Sequence, residues 1–189
     1  MIPDMRVVLG FRAHSGWAAM VAVAGGAGSP RVLERRRIVI AEAETEAARF
    51  PYHAAAELPV EEASALIERA FNSACALAAE AIAAAVKRLG AEKHTVTGCV
   101  VLTGSGKPLP ELAKILAAHP LIHTAEGVMF REALINGARQ LGLSTGTVPE
   151  KSVDAAVLEE IAGLGKLIGP PWTQDQKLAT VAALLWKTG

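Results

Sequence analysis

The chain has 189 residues, 51% of them hydrophobic and 20% charged, which supplies one well-cored domain and argues against disorder. Nineteen Lys and Arg balance nineteen Asp and Glu, so bulk charge does not draw the protein to nucleic acid or anionic lipid, although a local basic patch is compatible with that balance. The most apolar stretch, residues 75–86, is interrupted by Glu80 and is too short for a membrane span. Asp4 and Arg6 beside a short apolar run make a poor signal peptide, and two cysteines form neither a disulfide framework nor a zinc site. A reduced, cytoplasmic setting is therefore expected. With no repeat, linker or break in composition, residues 1–189 read as a single domain.

In chain order, residues 6–10 are a β-rich strand, 12–16 a polar turn and 17–23 the returning strand. A turn containing Gly25, Gly26 and Gly28 leads to a third strand over 32–40. Strict alternation there puts Val32, Glu34, Arg36, Ile38 and Ile40 on one face and Leu33, Arg35, Arg37 and Val39 on the other. Charge on both faces suits an edge strand and splits the basic run Arg35-Arg36-Arg37. Three strands with short turns form an antiparallel meander. Residues 41–58, with Phe50, Pro51, Tyr52 and His53, read as an irregular connection.

A long helix follows over 59–89, with Pro59 in its first turn and Val60, Ala63, Ile67, Ala70, Ala74, Leu77, Ala81 and Val86 as its buried face. Its alanines allow close approach of a neighbour, within the chain or in a homodimer. A fourth strand spans 95–103. Helices are expected over 110–118 and 124–141, a fifth strand over 143–148 and a short helix over 153–162. The last helix runs from 173 to 186, with Thr173 and Gln176 spaced as a capping box. The order predicts an α/β domain whose mixed five-stranded sheet, a three-strand antiparallel meander plus two parallel strands, is flanked by helices.

That order resembles the ribonuclease H-like fold, and three stretches are similar to RuvC-type Holliday-junction resolvases. These are VVLGFRAHSGWAAMVAV, EGVMFREALINGARQLGLSTGTVPEKSV and LGKLIGPPWTQDQKLATVAALL. The resemblance implies a two-metal nuclease with carboxylates on the first strand, the fourth strand and the last helix. The first-strand position falls in Gly10-Phe11-Arg12 and the fourth strand ends Val100-Val101-Leu102-Thr103, neither with an acid; only Asp175 matches. A standard two-metal nuclease is not expected, and no metal ligand or cofactor is assigned.

Arg12, His14 and Ser15 have the makings of an oxyanion cradle, or of an ordinary polar turn. His119 and His123 with Glu126 and Asp175 offer two imidazoles and two carboxylates, enough for zinc or manganese if the fold unites them. Glu126 is equally explained by a helix dipole and His123 by a loop hydrogen bond. Arg131 either reaches a cleft or belongs to a helix-surface charge set. Trp172, Asp175 and Lys177 stand at the start of the last helix, where Pro-Pro-Trp either shapes a site or wedges a loop.

The leading expectation is a domain that binds an anionic ligand or partner between the first hairpin turn and the last helix. One alternative is a metal-dependent nuclease or phosphate-processing enzyme, with Mg or Mn on a site rebuilt from His14, Glu126 and Asp175. Another is a homo-oligomeric assembly module. Nucleic acid is a possible partner and a membrane is not.

Overall fold

Alternating apolar residues start the fold. In the computed structural model, which describes residues 5–25, 29–42, 45–104 and 106–186, β1 runs Met5–His14 and β2 runs Trp17–Ala24. Only Ser15 and Gly16 connect them, and Gly16 takes a positive φ of 78°. The polar stretch expected as a turn is thus mostly strand: Arg12 and His14 pair with Ala19 and Trp17. Cross-strand pairing to β2 carries the ladder to the last two residues, overriding their polarity. Gly26 and Gly28 of the expected glycine-rich turn lie outside the described residues.

The third strand, β3, covers Arg31–Val39. A bulge opposite Ala22 and Val23 breaks the expected alternation. Val32 joins the core on one side of the sheet and Leu33 the core on the other. Beyond the bulge Arg35 and Arg37 share a face, while Arg36 and Glu34 take the opposite one.

The segment read as irregular contains two short helices, α1 (Glu46–Arg49), capped by Thr45, and α2 (Pro51–Ala55), started by Pro51. Helix α3 spans Val60–Ala91. Its buried face is Ala63, Ile67, Ala74, Cys75, Ala78, Ile82, Ala85 and Leu89. The expected stripe holds for the first half and drifts in the second, because its alternating steps of three and four fall behind the 3.6-residue period at Leu77 and Ala81 and the single five-residue step to Val86 overshoots it. Val60 is exposed.

Strand β4 (His94–Thr103), α4 (Leu112–Leu116) and α5 (His119–Gln140) come next. Helix α5 starts five residues before the expected boundary, because Pro120 sits in its first turn, where a missing N–H costs nothing. Strand β5 (Ser144–Pro149), a 3₁₀ turn (Glu150–Ser152), α6 (Ala155–Gly163), α7 (Gly165–Ile168) and α8 (Gln174–Leu185) complete the chain.

The strands lie in the order β3-β2-β1-β4-β5, with β1–β2 and β2–β3 antiparallel and β1–β4 and β4–β5 parallel. Odd residues of β1 (Val7, Leu9, Phe11) enter the larger core with α3 and α5, and Val8 packs in the second core with α8. Gly137 of α5 fits against Ala78 and Ala79, so α5 of the same chain covers the alanine-rich face of α3. No described helix is long and apolar enough to cross a membrane.

Candidate functional site

Even residues of β1 point toward α8, and the approach is close. A Cβ on Gly10 would stand 2.0 Å from the Ala179 carbonyl oxygen, so only glycine lets strand and helix meet there. Two residues on, Arg12 faces the beginning of α8. The Thr173 side chain accepts from the Gln176 N–H and Gln176 accepts from the Thr173 N–H, forming the capping box that fixes this helix end. Asp175, in the first turn, is favoured by the positive end of the helix.

These constraints bring Arg12, His14 and Asp175 together. Arg12 Nη1 donates to Asp175 Oδ1 at 2.6 Å, and Arg12 Nη2 donates to Glu150 Oε1 at 3.1 Å. His14 Nε2 lies 3.2 Å from Asp175 Oδ2, within ion-pairing range but out of line for a hydrogen bond. Glu150, immediately beyond β5, escaped sequence reasoning; its one signal was its place after the last parallel strand. It also bears on Arg131: burial lowers the Arg131 pKa, and the charges of Glu150 and Glu132 act against that lowering. The Arg131 guanidinium lies against Gly127 and Gly104, beyond the end of β4.

A second group extends this one across the meander. His14 stacks on Trp17 at 4.2 Å between centroids and 9° between planes, and the exposed Arg37 stands 4.2 Å from the Trp17 ring centroid. On the same face, Arg35 donates to the carbonyls of Ile168, Gly169 and Pro171. These neutral acceptors hold the loop before α8 while leaving the arginine's charge uncompensated. The basic run is divided as alternation implied: Arg35 and Arg37 share this face, and Arg36 lies on the other.

The remaining candidates lie as follows. Ser15 is half-buried in the hairpin connection, and Lys177 is half-buried on α8 with no ion pair among the described residues. Trp172 donates its indole N–H to the Ile161 carbonyl at 3.0 Å and packs on Gly165, pinning the loop against α6 and α7. Glu126 does not join Asp175. Its carboxylate accepts from His53 in α2 instead, so the set of His14, Glu126 and Asp175 is not assembled.

No protein-family profile matches the chain, and no curated protein does. Among solved structures it is similar to Thermus thermophilus RuvC in complex with a Holliday junction substrate, with a TM-score of 0.50 and 14% identity over 95% of this chain and 90% of that one. The fold is ribonuclease H-like. A second Thermus thermophilus RuvC structure matches with a TM-score of 0.49 and 14% identity, over 94% and 91% of the two chains.

The ribonuclease H-like frame makes the Arg12 cluster informative. Two divalent ions need several oxygen ligands converging without a competing cation. Here the first strand offers a guanidinium, the end of β4 offers Val100 to Thr103, and both carboxylates within reach are bonded to Arg12. These residues do not fit a metal pair. The cluster can tie β1, β5 and α8 together and present basic and aromatic groups beside them.

Proposed function

We propose that this protein is a ribonuclease H-like binding domain that does not cleave, and that it takes an anionic ligand, nucleic acid foremost, on the sheet face beside α8. The observation that carries the reading is the Arg12–Asp175 contact of 2.6 Å: on the strand where the resemblance to resolvases implies a metal-binding carboxylate, this chain has a cation bonded to the acid of the last helix. Arg35 and Arg37 supply the positive charge that phosphates use, with Arg37 held over the Trp17 ring beside His14. The likeness to a RuvC structure in complex with a Holliday junction substrate supports nucleic acid as the first class to try. A reducing, cytoplasmic location belongs to the same proposal, since both cysteines are free and buried.

The nuclease or phosphate-processing alternative draws no support from the site, because Glu126 is engaged by His53. The assembly alternative draws on the balanced charge and on the alanine-rich α3, which at Ala78 and Ala79 packs on Gly137 of α5 within the chain.

Fluorescence anisotropy with labelled branched, duplex and single-stranded DNA and RNA tests the binding. The expected result is salt-sensitive affinity, with Arg37→Ala weakening it about three- to tenfold and reducing the salt slope by about one. Absence of binding at low salt, or identical affinity and slope in the variant, removes nucleic acid from this face.

A further inference from the structure

Three of the chain's five histidines converge at a place the Arg12 cluster does not use. His119 opens α5 and His123 follows four residues later, which puts both rings on one side of the helix. Helix α2 brings His53 against them. Ring centroids stand 5.1 Å apart for His53 and His119, 4.6 Å for His53 and His123, and 4.5 Å for His119 and His123. One ring nitrogen from each lies within 4.8 Å of the others, and the Nε2 atoms of His119 and His123 are 2.9 Å apart. Tetrahedral zinc with bonds of about 2.0–2.1 Å sets its nitrogens roughly 3.3 Å from one another. Small ring rotations reach that spacing, and two of the three side chains are exposed and free to make them.

Behind the rings stands Glu126, only 1% exposed. Its Oε1 accepts from His53 Nδ1 at 2.9 Å and from the His53 backbone N–H at 3.3 Å. The other oxygen, also buried, has no hydrogen-bond partner among the described residues. A carboxylate on Nδ1 is the usual outer partner of a metal-binding imidazole: it fixes the tautomer that leaves Nε2 free to ligate. A buried carboxylate with an idle oxygen is costly, and a divalent cation one imidazole away offsets that cost. The pattern is specific because one buried acid and three rings from two helices agree on one point.

We propose that His53, His119 and His123 bind a zinc ion, with Glu126 orienting His53 from behind. Three imidazoles select zinc and its late first-row neighbours over magnesium or calcium. Three protein ligands leave a fourth position open. It borders a cleft of about 450 Å³ lined by Glu46, Phe50 and Ala54 together with His53 and His123. The ion links α2 to the start of α5. Of the set His119, His123, Glu126 and Asp175 that the sequence offers, the two histidines are ligands here, Glu126 stands behind His53 and Asp175 lies in the Arg12 cluster; His53 falls in a segment read as irregular.

The full chain, freed of metal and of any affinity tag, is titrated with zinc alone against a chromogenic chelator, and with Co²⁺ for its visible spectrum. One equivalent bound with submicromolar affinity is expected, with the d–d absorption of four-coordinate cobalt. His119→Ala and His123→Ala, at exposed positions that leave the circular dichroism unchanged, each weaken zinc binding by more than about a hundredfold, and Glu126→Gln weakens it about 10–100-fold. Failure to take up stoichiometric zinc overturns the proposal. So does uptake that survives in the His119→Ala, His123→Ala double variant.

Discussion

The guanidinium of Arg12 and the carboxylate of Asp175 have side chains 27% and 22% exposed, so solvent screens their attraction without removing it. Arg12 also holds Glu150, and truncating it leaves two acids without their shared cation. Arg12→Ala is expected to lower stability by about 1–2 kcal/mol, and Asp175→Asn by less, because Glu150 still engages Arg12. Urea unfolding checks both; two neutral variants would mean that the cluster holds nothing together. The thiols give a second prediction at this scale. Burial pushes Cys99 up to about 12, and burial together with the Glu132 charge raises Cys75. Thiols in the unfolded chain titrate near 8.5, so the unfolded state loses these protons first. Stability is therefore full below about pH 8.5 and falls as pH rises toward 12. Melting temperatures at about pH 8 and pH 10 should show the drop, and iodoacetamide at pH 8 should label the thiols only in urea. Equal melting temperatures, or rapid labelling of the native chain, would contradict this.

Among the elements, the seam between β1 and α8 places the site. Gly10→Ala drives a methyl into the Ala179 carbonyl, which is backbone and cannot rotate away. We expect about 2–3 kcal/mol of lost stability and a displaced α8, read by urea unfolding and by hydrogen exchange in the helix. Wild-type stability would show that helix and strand separate easily. Gly98 and Gly146 play the same part for β4 and β5, where the Trp186 ring lies on both. Elements with a strong period were legible in the sequence: the meander, α3 and the capped α8. Helices α1 and α2 were not, since four and five residues display no apolar period, and their marks, a Thr45 cap and a Pro51 start, also occur in turns. The helices expected over 110–118 and 124–141 leave Pro120 between them, although proline suits a first turn and α5 starts at His119. Arg12 and Asp175 were legible as candidates, but their contact was not. It depends on β1 continuing to His14, and only pairing with Trp17 decides that.

At the scale of the whole molecule, the sheet order, the meander and the closing helix follow a ribonuclease H-like frame, and Arg12 of its first strand forms a charge cluster with Asp175 and Glu150. The frame needs apolar alternation and close glycine contacts, which this chain has. Two-metal chemistry needs clustered acids, which it lacks at β1 and β4. On the function proposed above, this protein binds without cutting. The most direct test incubates the purified chain with labelled branched DNA at low salt, with Mg²⁺ and with Mn²⁺, and follows binding and strand integrity in the same samples. Bound DNA that stays intact at enzyme excess is the predicted result. Metal-dependent cuts that disappear in Asp175→Asn would contradict the account and return a nuclease to this site.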